Sequence, residues 1–146
     1  MKLKDQYING STLPEEYALP AIIELGVIKR IPIFVFSSGT AVQFMNKLIP
    51  LQTQIDKIKL KEGNLSPEEW KHFDRKMKDV HDAPIWVNDI EVKSIEDYKS
   101  AEEVIINEKI KYVFVDSLPE TIDRQEIIKW SEKVGFNVYF TKFLYE

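Results

Sequence analysis

Short apolar runs alternate along the chain with longer segments whose apolar residues recur every three or four positions. The short runs are rich in β-branched and aromatic residues, and they predict strands at 31–36, 84–87, 111–116 and 136–143, with a weaker candidate at 6–8. The first of these, IPIFVF, is apolar throughout, which is typical of a strand covered on both faces. The pattern therefore predicts an α/β domain with a mainly parallel sheet of about five strands and helices on both faces.

The segments between the runs carry helix start and stop signals. Ser66 and Glu69 form a capping box around a proline at the first helical position, which predicts a helix from there. Ser94 is the predicted cap of a second helix, and a third is expected to start at Thr121 and end at Gly135. The second helix has a predicted buried stripe, formed by Tyr98, Ala101, Val104 and Ile105. Two further helices are predicted at 15–25 and 40–48.

Composition narrows the classes of protein. The chain has 146 residues and no internal repeat or linker, so residues 1–146 are expected to form a single domain. It contains no cysteine, which excludes disulfides, thiolate metal sites and cysteine nucleophiles. The net charge of −4 does not favour DNA as a partner. A polar N-terminal stretch and the lack of a long apolar window predict a cytoplasmic protein with no membrane partner.

Five sequence words follow one another along the chain. They are SSGT at 37–40, a set formed by Leu60, Gly63, Leu65, Glu69 and Trp70, APIWVND at 83–89, VFVDSL at 113–118 and TKFL at 141–144. From about residue 16 to the C-terminus, their order and spacing resemble the motor core of DnaB-family replicative helicases. There the words read S-L-E-M, L-x-x-G-x-L-x-x-x-E-W, A-P-I-x-I-D-D, I-V-I-D-Y-L and S-Q-L-N. The resemblance implies a three-layer RecA-like, P-loop-type domain and a link to DNA replication.

The chain departs from this family where ATP chemistry takes place. The family's ATPase holds phosphates in a G-x-x-x-x-G-K-[ST] loop, and no such loop occurs here. If YALP at 17–20 takes the place of the family's F-A-L-N, the lysine position falls on Pro14 and the hydroxyl position on Glu15. Gly39 stands where the family keeps the glutamate that activates water. The resemblance therefore implies a degenerate Walker A loop and no catalytic residues.

One acidic residue of the family pattern remains. Asp116 ends an apolar strand and is expected at the carboxyl edge of the sheet, where open α/β sheets bind ligands. The resemblance implies a magnesium-associated carboxylate, whereas the residue pattern alone equally fits an acid that ends a strand or holds the next turn. Lys142 replaces the family's glutamine near the same edge and could pair with Asp116. Together these two residues form a predicted vestigial nucleotide site.

Other candidate residues carry weaker signals. His72 lies between two aromatic residues of a helix, and His81 with its neighbour Asp82 could act as a base, but no nucleophile motif accompanies them. A locally basic stretch has acidic residues interleaved, as in a solvated helix face; it comprises Lys57, Lys59, Lys61, Lys71, Arg75, Lys76 and Lys78. The aromatic residues at 136–145 either face the core or form an oligomer contact.

Three functions stay open on this basis. The first is a catalytically inactive relative of the DnaB-type motor that binds a protein partner or forms a homo-oligomer and needs no cofactor. The second is a residual accessory ATPase that binds ATP, with magnesium on Asp116 and the missing groups supplied by a neighbouring chain. The third is a nucleic-acid-binding accessory protein that uses the lysines near residue 57.

Overall fold

The computed structural model describes residues 8–145, and its four strands form one parallel sheet. The strands are β1 (Ile33–Phe36), β2 (Ile85–Asn88), β3 (Tyr112–Asp116) and β4 (Asn137–Thr141), in the order β2-β1-β3-β4. This confirms the predicted α/β class and the parallel sheet. The described residues contain four strands rather than about five, because of the weak candidate at 6–8 only Ile8 lies inside the described residues, and it is in no strand.

Seven α-helices connect and cover these strands in the part of the chain that the structure describes. They are α1 (Glu15–Ile22), α2 (Ala41–Thr53), α3 (Lys57–Glu62), α4 (Pro67–Asp82), α5 (Ile95–Lys99), α6 (Glu102–Asn107) and α7 (Arg124–Val134). A π-helical turn, Ile23–Ile28, continues α1. None of the helices between residues 8 and 145 is long and apolar enough to cross a bilayer.

The predicted helix signals fare differently. The box at Ser66 is confirmed: its hydroxyl accepts from the Glu69 amide at 3.1 Å, and the Glu69 carboxylate accepts from the Ser66 amide at 3.0 Å. The helix predicted from Ser94 is wrong in its continuity, because the chain tightens at 100–101 and divides it into α5 and α6. Val104 is consequently 36% exposed and not part of a buried stripe.

The last helix begins later than predicted. Residues 119–122 form a turn that buries Ile122, and α7 starts at Arg124 rather than at Thr121. The cap is Asp123, whose carboxylate accepts from the Gln125 amide at 2.9 Å. The end at Gly135 is confirmed, with a φ of 102° that favours glycine.

Each face of the sheet carries its own core. Successive residues of β1 alternate between the two cores: Ile33 and Val35 pack with α1 and α2, and Phe34 and Phe36 pack with the residues of α5 to α7. All four are at most 5% exposed. The expectation of helices on both faces is thus confirmed.

Residues 9–13 lie along the outer edge of β4. The Gly10 amide donates to the Val138 carbonyl at 2.8 Å, and the Leu13 amide donates to the Phe140 carbonyl at 2.7 Å. This segment covers an edge that would otherwise present free backbone groups. The aromatic residues of β4 and its flanks face the core: Phe136, Tyr139, Phe140 and Phe143 are at most 4% exposed. Leu144, in contrast, is 69% exposed.

Candidate functional site

Three chain segments meet at the carboxyl ends of the strands. Residues 37–39 follow β1, Asp116 is the last residue of β3, and residues 142–145 follow β4. Because all strands run in parallel, these ends lie at one edge of the sheet, which is where such sheets place ligand sites. The predicted position of Asp116 is therefore correct.

The Asp116 carboxylate is buried, at 4% exposure, and accepts hydrogen bonds from all sides. Its Oδ2 accepts from the Ser38 amide at 2.8 Å, the Ser38 hydroxyl at 2.7 Å and the Tyr145 hydroxyl at 3.2 Å. Its Oδ1 accepts from the Ser117 hydroxyl at 2.9 Å and the Phe143 amide at 2.8 Å. All of these donors are neutral, so the carboxylate joins the three segments without a cation among these hydrogen-bond partners.

The backbone at Ser117 contributes to this arrangement. Its φ of 59° is in the left-handed region, which costs free energy for a residue other than glycine. The turn lets the Ser117 hydroxyl reach back to Asp116 while its amide donates to the Thr141 carbonyl at 2.8 Å. Asp116 therefore holds the turn after its own strand, one of the two roles that its sequence position allows.

Tyr145 fills the space next to Asp116. Its hydroxyl oxygen also lies 2.8 Å from the Ser37 hydroxyl. Burial is the main reason that the pKa of Tyr145 is raised to about 12, so the phenol keeps its proton at neutral pH. A Cβ atom at Gly39 would lie only 2.8 Å from two carbon atoms of the Tyr145 ring. Gly39 therefore leaves the room that the ring occupies.

Lys142, the second residue of the predicted site, does not join Asp116. Its side chain is exposed, and no ion pair links it to Asp116 among the described residues. Lys142 follows the last residue of β4, and the next residue is the one that turns inward, with the Phe143 amide on the carboxylate. Sequence analysis missed Tyr145, and no local pattern in the sequence distinguishes it from the other terminal aromatic residues.

The start of α1 occupies the place that the resemblance gives to the phosphate loop. Only Pro14 separates Leu13, which is bonded to β4, from the first residue of α1. The Glu15 carboxylate accepts from the Leu144 amide at 2.9 Å and pairs with the Lys47 amino group at 3.0 Å. A strand-like segment thus passes directly into a helix.

The remaining candidates have structural contacts. Nε2 of His72 lies 2.7 Å from the Thr53 carbonyl oxygen and joins α4 to α2. His81 is exposed and lies 3.3 Å from Asp82. Between residues 8 and 145, no three histidine, aspartate or glutamate side chains form a group suited to a metal ion. In the basic stretch, Lys59 pairs with a glutamate of α4 at 3.1 Å.

The chain has recognisable relatives. Over residues 17–133 it matches the family model described as DnaB-like helicase C terminal domain. Its fold is similar to that of a solved structure named as an ATPase domain, with a TM-score of 0.66 and 14% identity over 80% of this chain and 48% of that chain. A second similar structure is "The Structure Of A DnaB-Like Replicative Helicase And Its Interactions With Primase", with a TM-score of 0.69 and 12% identity.

The extent of these matches is uneven. The second comparison covers 93% of this chain but only 39% of the other, so the chain spans less than half of either solved structure. At such low identity these structures show a common fold. A comparison with curated proteins finds no match.

Proposed function

The chain belongs to the DnaB-like helicase C-terminal domain family, and we propose that it is a catalytically inactive member that acts by binding a protein partner or a second copy of itself. The observation that carries this proposal is the hydrogen bonding of Asp116, whose carboxylate accepts from five protein donors among the described residues. Phosphoryl transfer has three requirements, which are magnesium, bound phosphate and an oriented water.

Magnesium fits this carboxylate poorly. The ion requires near-ideal octahedral geometry with oxygen ligands at about 2.0–2.1 Å. A magnesium ion bound directly to Oδ2 would have to displace Ser38 or Tyr145, and one bound to Oδ1 would displace Ser117 or Phe143. Each buried donor left without an acceptor costs about 1–3 kcal/mol. The residues present therefore do not suit the ion.

Phosphate binding lacks its usual groups as well. Phosphate loops bind through free backbone N–H groups and a lysine. Here Pro14 has no N–H group, and the Leu13 amide already donates to β4. The Glu15 carboxylate would repel a triphosphate, and the Lys47 amino group is already paired with it at 3.0 Å.

The third requirement is a carboxylate that orients water. In the family, a glutamate stands where this chain has Gly39, and the Tyr145 ring occupies the space above that residue. A side chain at position 39 and the Tyr145 ring exclude each other in this arrangement. The observation supports a site that has been rebuilt as part of the protein interior.

Titration with ATP and magnesium tests the proposal. We expect no binding heat and no change in the thermal midpoint at millimolar ATP. A ligand at about 1,000 times its Kd stabilises a protein by about 4.1 kcal/mol, so micromolar binding would be plainly visible in the melting curve. Such binding in the wild-type protein would overturn the proposal.

The variant Tyr145→Ala is the informative companion to this titration. It removes the ring and opens Oδ2 of Asp116, but it leaves Pro14 and Glu15 in place. We expect this variant to be folded and equally unable to bind ATP. Binding by the variant alone would mean that the C-terminal segment blocks an intact nucleotide site, and it would refute the inactive interpretation.

The protein-binding half of the proposal rests on what remains when these requirements are missing. The similar structure solved with primase concerns a protein whose name gives it a protein partner, and we extend that type of contact to this chain. Light scattering coupled to size exclusion tests self-association, with 17.1 kDa expected for a monomer. A concentration-dependent mass above this value supports a second copy as the partner.

A further inference from the structure

A groove of about 610 Å³ lies between α2, α3, α4 and the C-terminal segment. This volume is in the range of sites that bind ligands, about 300–1,000 Å³. Its apolar lining comes from all four parts of the chain and comprises Ile49, Pro50, Leu60, Phe73 and Leu144. The Leu144 side chain is 69% exposed in this position, so the groove presents apolar surface to the solvent.

The charged residues of the groove all have the same sign. Lys47, Lys57 and Lys61 line it, and no carboxylate of the described residues belongs to its lining. The chain as a whole carries a net charge of −4, so this basic surface contrasts with the rest of the molecule. Lys47 is tied to Glu15 at 3.0 Å, whereas Lys57 and Lys61 both belong to α3. The charge pattern favours an acidic occupant.

The apolar residues decide between two acidic occupants. Single-stranded nucleic acid binds by stacking bases on aromatic faces that follow a basic groove. In this groove the floor is mostly aliphatic, and the ring of Phe73 is in an edge-to-face contact with Trp70 at 5.9 Å. Leucine and isoleucine side chains of a peptide match such a floor better than bases do.

We propose that this groove binds an acidic amphipathic peptide segment of a partner protein. Its carboxylates would face Lys57 and Lys61, and its apolar side chains would pack on Leu60, Phe73 and Leu144. This inference rests on the proposed function, since it names the chemical class of the partner that an inactive binding module would take. It does not involve the Asp116 carboxylate, so the ATP titration and the peptide experiment can fail separately.

Fluorescence anisotropy tests the inference with a labelled synthetic peptide that alternates glutamate with leucine and isoleucine. The purified protein is titrated against this peptide, against a charge-reversed peptide that carries lysine, and against a labelled oligo-dT. We expect the acidic peptide to bind most tightly, with an affinity that falls as salt rises, because salt screens the lysine charges. The variant Lys57→Glu/Lys61→Glu should weaken this binding about tenfold or more.

A matched control separates the groove from the overall charge. The variant Lys71→Glu/Lys78→Glu makes the same change in net charge at two exposed residues of α4 outside the groove lining. It should bind the acidic peptide within about twofold of wild type. An equal loss in both variants would refute a groove-specific site, as would equal binding of the charge-reversed peptide. Binding of oligo-dT in place of the peptide would assign the groove to nucleic acid, and no binding of any probe would also overturn the inference.

Discussion

Adding one methyl group at Gly39 probes how the C-terminal segment occupies the site. The residue is not among those with positive φ, so its backbone accepts alanine without strain. The obstacle is space, because the new Cβ would lie 2.8 Å from Cε2 and Cζ of the Tyr145 ring. Carbon atoms in good contact are about 3.5–4.0 Å apart, so the ring must move away by about 0.7 Å or more.

The magnitude follows from these contacts. Overpacking of this kind costs about 1–3 kcal/mol. Movement of the ring would also stretch the bonds of the Tyr145 hydroxyl to Ser37 and Asp116, which are 2.8 and 3.2 Å long. We therefore expect Gly39→Ala to lower the free energy of unfolding by about 1–3 kcal/mol.

A double-mutant cycle with Tyr145→Ala makes the experiment specific. Without the ring, the new methyl group meets only the side-chain oxygen of Gln43, at 2.8 Å, at the end of a flexible side chain. In that background the same substitution should cost less than about 0.5 kcal/mol, or stabilise the protein slightly, because alanine restricts the unfolded chain more than glycine does. Urea denaturation followed by circular dichroism measures all four proteins.

The difference between the two backgrounds is the decisive quantity. We expect a coupling free energy of about 1–2 kcal/mol, well above the deviation seen between independent sites. An equal cost of Gly39→Ala in both backgrounds would refute the reasoning, because the ring would then not be the obstacle. A stabilising effect in the wild-type background would do the same.

Three further predictions concern other contacts. Asp116→Asn should lower the free energy of unfolding by about 1–3 kcal/mol in urea titrations, since an amide group would then face the donors that now meet a carboxylate oxygen. The raised pKa of Tyr145, about 12 against an ordinary value of 10.0, favours the protonated phenol in the folded state; its stabilising contribution should be complete below pH 10 and be lost between pH 10 and 12. Alkaline unfolding should therefore show a smaller loss in Tyr145→Phe, although part of it should persist because the pKa of Tyr98 is also raised to about 12. Asn9→Ala should lower stability by about 1–2 kcal/mol and speed hydrogen exchange at the Val138 amide, which now donates to the Asn9 side chain at 2.7 Å; unchanged exchange would contradict the stapling role of Asn9.

The strands could be predicted because each is buried on both faces or nearly so. A run such as 31–36 has no polar position, and local composition is enough to identify it. The helix at Ser66 was equally accessible, because its capping box involves residues only three positions apart. The break between α5 and α6 was not, since the spacing of apolar residues continues across 100–101 while the backbone tightens there.

The site was predictable only in part, for a related reason. Asp116 was placed correctly because a residue at the end of a parallel strand must lie at the carboxyl edge. The partners of Asp116 could not be read from the sequence: Lys142 was chosen for its charge, yet the structure uses the hydroxyl of Tyr145 and the amide of Phe143. Which of four neighbouring residues turns inward depends on how the chain leaves β4, and local composition does not encode that turn.

The pairing of residues 9–13 with β4 has a consequence for synthesis of the protein. Gly10 and Val138 are joined by a backbone hydrogen bond, so a segment made early pairs with a strand made late. Contacts between distant parts of a chain slow folding, because the intervening loop must close first. On the ribosome, the sheet can therefore close only after β4 has left the exit tunnel, and the apolar side of α1 stays uncovered until then. Chaperones that shield nascent chains would have their longest task at this helix.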